Sequence, residues 1–362
     1  MRKFLSFFSY LLLTITLLTS CSKSDENPIP DEISGKYTNG FFLLNEGWFG
    51  HNPGDINFYH YDGDSISFDI FSKENEGATL GGPGNTLQNG ILFQGKLYMV
   101  VKVGGPLVAA DAQTMKETGR IAQLPGNNGQ SFVGINETTG LLGTGDGLYA
   151  LNLENLALGD KIADIEGTIG DMIATSQYTF IISSNGLLYV LNNNDFTVVK
   201  EISGPISGFV QTKNGIIWAA GGEILYGVHS NDLEVEEVKL PFNFTGSVGA
   251  WRAGSITYSP HEDAIYLTKL ISWASGTEIY RYLKGNPASL DMPFIRVPDG
   301  QWIYGSIRYD EKSQNLIVPV VKSGFGNNYS YNQILFYNAF GAAIKKISYE
   351  GFYFPALPVL VN

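Results

Sequence analysis

The sequence predicts an all-β protein, and three observations carry that expectation. Glycine supplies 43 of the 362 residues, well above the usual share of about 7%. From Phe41 onward, short apolar or alternating runs are separated by Gly, Asn and Asp turns, which is strand-and-hairpin punctuation. No stretch holds a helical period over the length that a helix needs. With 44% hydrophobic and 16% charged residues, the chain can bury a core that offsets the entropy of ordering, so extended disorder is excluded. One cysteine excludes an internal disulfide framework.

The runs repeat. Cut before a Gly-rich inner strand, segments beginning near Asn85, Gln130, Thr168, Ile206, Ala250 and Gln301 each offer four strands, and the last leads to a final strand near Phe352. The mean period of about 44 residues is that of four-stranded propeller blades. The segment from Ile169 shows the pattern most plainly, with strands at 170–175, 178–183, 187–192 and 197–202. Its Asn185-Gly186 is a strong two-residue hairpin signal. The next segment repeats it at 208–211, 215–220, 224–228 and 235–240. Gly134, Gly170, Gly208, Gly254 and Gly305 fall near the start of inner strands, where strands crowd around a central channel.

Residues 41–71 supply only three strands, at 41–44, 56–61 and 65–71, so the first blade lacks its innermost one. The C-terminal run 353–361 is a spare strand, although Pro355 and Pro358 weaken its pairing. Joining the two gives a seven-bladed β-propeller whose N- and C-terminal strands share one blade, leaving only short edges.

Ahead of the propeller, Arg2 and Lys3 precede an apolar run from Phe4 to Leu18. That is a secretory signal and is too short for a membrane span. Leu18-Thr19-Ser20-Cys21 resembles a bacterial lipobox, which implies cleavage before Cys21 and acylation of that residue. The polar, acidic, proline-containing stretch from Ser22 to Glu32 reads as a tether, and it resembles the surface-export signal of Bacteroidetes lipoproteins. The expected organisation is therefore signal peptide 1–20, lipidated cysteine and flexible acidic tether 21–40, and one propeller domain 41–362. Removing the signal leaves 21 basic against 35 acidic residues, net −14. Such a surface repels nucleic acid and anionic headgroups, so the only expected membrane contact is the lipid anchor.

Motifs that look like chemistry reduce to turns. Gly143-Thr144-Gly145-Asp146-Gly147 lies between two strands and opens no helix, so it reads as a hairpin and not a phosphate loop. Asp62-Gly63-Asp64 lacks the rest of a calcium loop. His51, His60, His229 and His261 show no metal-ligand spacing, and no Gly-x-Ser-x-Gly elbow is present. No cofactor or metal is expected. Asp64-Ser65-Ile66 resembles a short O-glycosylation sequon of Bacteroidetes secreted proteins.

The informative pattern is aromatic. Sorted by propeller connectivity, one face collects Trp48, Phe49, Phe242, Phe244, Trp251, Trp273, Trp302, Tyr304, Phe325, Tyr329 and Tyr331 on loops of blades 6, 7 and 1. The opposite face is nearly free of rings. Long loops with aromatic tips on a rigid scaffold are where binding sites are built, and flat rings suit a sugar face or a large planar ring system. Arg252, Glu46, Asp299, Gln301 and Asn327 are candidate polar contacts there.

The opening Phe42-Leu43-Leu44-Asn45-Glu46-Gly47-x-Phe49-Gly50, followed by Ile56-x-Phe58-Tyr59-x-Tyr61-Asp62, resembles the YncE-like propeller lipoproteins of Bacteroidetes, a family of surface proteins of uncharacterised domain type. Members often continue with an Asn and then a Leu-Gly pair. Here Asn75 and Leu80-Gly81 are separated by an acidic, glycine-rich insertion. Some members look like cobalamin-capturing partners of outer-membrane TonB-dependent receptors, and no corrinoid-contact residue carries over individually. The resemblance implies a cell-surface, outer-membrane lipoprotein, monomeric outside a transporter complex, that binds a nutrient such as a corrinoid and delivers it. The alternatives are glycan capture, a protein-interaction scaffold, or a propeller lyase or hydrolase using Glu46, His51 or Asp299.

Overall fold

A computed structural model of the chain describes residues 35–244, 255–270 and 275–361. Seven antiparallel sheets follow one another along the chain as the blades of a β-propeller. The first blade has the order Pro355–Leu360, Gly40–Asn45, Asp55–His60, Ser65–Ser67, with the C-terminal strand innermost. The ring therefore closes as the strand count predicts. Pro358 lies opposite Leu43, and Pro355 opposite Asn45. Both are tolerated because an innermost strand has one unpaired edge, where a missing N–H breaks no ladder.

The core lies between blades. Phe42 and Leu44 pack with Leu97, Met99 and Val101 of blade 2, while Phe41 and Leu43 pack with Ile317, Ile334 and Phe336 of blade 7. A strand buried on both faces has no polar side to show, which is why these segments read as apolar runs. Short polar side chains tie neighbouring inner strands together. Asn89 Oδ1 accepts from the Phe132 amide at 3.3 Å, Ser255 Oγ from that of Ile307 at 3.1 Å, and Thr257 Oγ1 from that of Tyr309 at 3.0 Å.

Several elements differ from expectation. The predicted strand 65–71 ends at Ser67, and the chain then turns into a short helix, Ile70–Glu74. Ile70 and Phe71 are buried there beside Leu80 and Met115, so the helix fills the junction of blades 1 and 2. Asn75 fastens it, donating to the carbonyls of Phe71 and Met115 and accepting from the Glu117 amide. In blade 5 the expected second and third strands are one element, Ile216–His229, whose first half pairs with Ser207–Gln211 and second half with Val235–Phe244. Residues ahead of Phe41 also belong to the domain. Tyr37 is 1% exposed, its amide donates to the Gln113 carbonyl, and its ring lies edge-on to Phe58.

The inner strand of blade 7 is split into Gln301–Ile303 and Arg308–Asp310. Between them the Ser306 amide donates to the Ala356 carbonyl of the closing strand. Gly305 has φ 71° there, and a Cβ on it would lie 2.1 Å from that same oxygen. Gly305→Ala is expected to cost about 2–4 kcal/mol, from backbone clash and positive-φ strain together. Urea denaturation checks this, and an unchanged midpoint would refute it.

Candidate functional site

The loop between Gly40–Asn45 and Asp55–His60, the loop between Asn315–Lys322 and Tyr331–Tyr337, and the crossing from blade 7 to blade 1 meet on one face of the ring. The Leu-Asn-Glu-Gly opening is what joins them. Asn45 Oδ1 accepts from the Tyr349 hydroxyl at 3.1 Å, and Glu46, 2% exposed, accepts from the Tyr304 hydroxyl at 2.6 Å. The amides of Glu46 and Gly47 donate to the carbonyls of Phe354 and Tyr353. Gly47 has φ 86°, and a Cβ there would lie 2.5 Å from the Asn52 carbonyl, so only glycine turns the chain here. The motif is thus a closure device with the Trp48 loop growing from its end.

Aromatic rings line this junction in sequence. His51 stacks on Trp48 at 4.0 Å, Trp48 lies 5.0 Å from Tyr353, and Phe354 stacks on Tyr304 at 4.7 Å and lies 4.8 Å from Tyr329. Tyr329 in turn reaches Trp302 and Phe325. Tyr304, Tyr329 and Phe354 form a buried floor, with Trp48, Trp302 and Tyr353 packed half-buried against it. Phe49 and Phe325 stand out at 53% and 73% exposed, with Tyr331 also exposed. Burial, reinforced by the Glu46 carboxylate, holds the Tyr304 phenol well above its ordinary range. Burial also raises that of Tyr329. Phe354 sits at φ 61°, a conformation that costs a bulky residue energy, and the Glu46 amide on its carbonyl holds it there.

Of the expected ring set, the structure unites Trp48, Trp302, Tyr304, Phe325 and Tyr329, with Phe49 and Tyr331 on the same loops. Phe242 and Phe244 are not loop residues. The strand Val235–Phe244 continues through Pro241, and both rings are buried in the core between blades 5 and 6. Trp251, Arg252, Trp273 and Cys21 lie outside the described residues. Tyr353, Phe354 and His51 were not among the rings expected from sequence. The first two begin the run 353–361 that the sequence offers as a spare strand, but the strand itself starts at Pro355 and the shared-blade topology sets both rings on this face.

Three cavities border the inner strands or the loops of this face. The central channel holds about 200 Å³, bordered by Asn89, Asp171, Ser207, Ser255, Ser306 and Arg308. A cavity of about 240 Å³ beside Tyr353 is bordered by Asn52, Asp55 and Asp69. Burial raises the Asp55 carboxyl, while the Ser72 hydroxyl donates to it. The third, about 320 Å³, lies on the flank of blade 7 at Asp299, Gln301 and Tyr331. Glu46, His51 and Asp299 fall in three different surroundings: under Tyr304, against Trp48, and in the flank cavity. Among the described residues no three His, Cys, Asp or Glu side chains gather as a metal site.

Comparison with known proteins places this architecture. The crystal structure of a quinonprotein alcohol dehydrogenase-like protein from Bacteroides thetaiotaomicron is similar over 90% of this chain and 79% of its own, with 22% identity and a TM-score of 0.72. A chain of the mitotic checkpoint complex is similar over 80% of this chain and 90% of its own, with 9% identity and a TM-score of 0.56. At such identities the likeness shows the fold alone. No curated protein matches the chain. Residues 39–361 match the family described as a domain of unknown function, DUF5074, and the chain belongs to that family.

Proposed function

We propose that this protein is a non-enzymatic binding protein, anchored at the cell surface through a lipidated Cys21, that captures a nutrient on its aromatic face. The ligand class that fits best is a corrinoid such as cobalamin, and the recipient is an outer-membrane transporter of the TonB-dependent type. The observation that carries this reading is the ring ladder from His51 to Phe325, floored by buried tyrosines and tipped by exposed phenylalanines. A rigid floor limits the entropy lost on binding, and protruding rings offer flat apolar area to a large planar ligand. The sequence resemblance to cobalamin-capturing propellers points the same way.

Calorimetry of the mature chain with cobalamin tests the reading, and absence of binding would overturn the corrinoid assignment. Trp48→Ala is expected to weaken binding by about 1–3 kcal/mol, the scale of one aromatic stacking partner. A Phe340→Ala control removes an exposed ring from the opposite face and should leave affinity unchanged. Equal effects from both substitutions would place the ligand elsewhere.

A further inference from the structure

The cavity on the flank of blade 7 has a composition unlike the ring ladder beside it. It opens on the same face, because Gln301 begins its strand, Lys322 ends one, Tyr331 begins one and Glu350 ends one, and these four ends lie side by side in the ladder. Gln301 spends its amide nitrogen on the Gln333 side-chain oxygen, and its own Oε1 is buried with no hydrogen-bond partner. Asn332, 1% exposed, also borders the cavity, and its Oδ1 is a second buried acceptor without a partner. The carboxylates of Asp299 and Glu350 add further acceptors, and Lys322 is the one cation on the lining. Its ammonium lies 5.0 Å from the centre of the Tyr331 ring, which is 43% exposed.

An unfilled buried acceptor costs free energy until a donor reaches it. Two buried acceptors on this lining lack a donor, so its occupant must bring O–H or N–H groups. Two carboxylates against one lysine disfavour an anion. A volume of about 320 Å³ at the low end of small-ligand pockets, walled on one side by an exposed phenol ring, fits one monosaccharide unit.

We propose that this cavity is a sugar-ring subsite, with Gln301 Oε1 accepting from a hydroxyl, Lys322 donating to another, and Tyr331 packing on the ring's apolar face. The proposal rests on this face being the ligand-binding face, as argued above. The sugar can arrive in two ways: as the ribose of a corrinoid's nucleotide loop, or as a residue of a neutral glycan.

The test titrates the mature chain, Gln301→Leu and Tyr331→Ala with cyanocobalamin, with dicyanocobinamide, which lacks the nucleotide loop and its ribose, and with maltohexaose and cellohexaose. Gln301 is only partly buried, and unchanged melting of its Leu variant controls for folding. Either substitution should weaken a sugar-bearing probe about tenfold, the loss of roughly one hydrogen bond or stacking contact. A loss seen with cyanocobalamin and not with cobinamide assigns the subsite to the ribose, and a loss seen with a hexasaccharide assigns it to a glycan. Hexasaccharide binding without cobalamin binding keeps the subsite and removes the corrinoid reading. If cyanocobalamin and cobinamide bind equally and neither substitution matters, the corrinoid reading stands and the subsite is overturned. It is equally overturned if no sugar-bearing probe binds.

Discussion

A chain ending at Phe354 is expected to lose its cooperative native state. The missing strand, Pro355–Leu360, is the innermost strand of blade 1 and pairs with Phe41, Phe42, Leu43, Leu44 and Asn45. Leu357 and Val359 belong to the core between blades 1 and 2, and Ala356 to the floor under the ring ladder. Losing Leu357 and Val359 alone forfeits about 3–6 kcal/mol of burial. It also leaves the amides and carbonyls of a fully buried strand without partners, at about 1–3 kcal/mol each. The Ser306 amide loses its acceptor as well, so blade 7 frays with blade 1. Together these exceed the stability of an ordinary domain. Far-ultraviolet circular dichroism during heating, with size exclusion, measures the outcome. A truncated chain that elutes as a compact monomer and melts within a few degrees of the full chain would show that the shared blade is dispensable.

The closure was legible because its parts carry a count: three strands before residue 72 and one left over after residue 350. The blades were legible because strands buried on both faces announce themselves as apolar runs between turn residues. What stayed hidden depends on neighbours far away in sequence. Ile70 and Phe71 extend an apolar pattern and read as strand, yet Asn57 Oδ1 takes the Asp69 amide, Asp69 adopts φ 50°, and the chain turns into a helix over the core. Phe242 and Phe244 read as loop rings because the expected strand stops at residue 240, just before Pro241. On the outermost strand of a blade, however, a proline's missing N–H faces solvent, and the strand runs on through it. The face holding the rings could be sorted from connectivity, but their depth could not. Tyr304 and Phe325 are both aromatic loop residues in the sequence, and only the closing strand beneath makes one a floor and leaves the other a tip. The flank cavity was half visible, since Asp299 and Gln301 stood out as polar contacts, whereas Gln333 and Glu350 join them only through strand register.

Stability is expected to fall steeply above pH 10, and the buried phenols set the direction. Tyr304 and Tyr349 are fully enclosed, and burial pushes both well above the ordinary tyrosine value, with Glu46 adding to the effect on Tyr304. Their folded pKa values therefore exceed the unfolded value near 10. A group raised in the fold contributes stability that is fully present below the unfolded value and is lost as pH rises, because the unfolded chain releases its proton while the folded chain keeps it. Each phenol that stays protonated in the fold adds a slope of about 1.4 kcal/mol per pH unit. The two slopes add, so the loss deepens with each step of pH above the unfolded value for as long as both phenols keep their protons. Burial and Asp310 raise Tyr61 in the same direction, and burial and Glu262 raise Tyr266, so they steepen the loss. The measurement is tyrosinate absorbance recorded beside circular dichroism, for the natural chain and for a Tyr304→Phe, Tyr349→Phe double variant. The double variant should be less stable at neutral pH, since Glu46 and Asn45 lose the hydroxyls that donate to them, yet should decline more shallowly above pH 10. The absorbance difference between the two chains should appear only as the circular dichroism signal collapses. If instead it grows while the fold is intact, the two phenols are reached by hydroxide in the native ring, and the floor beneath the ring ladder is open to solvent.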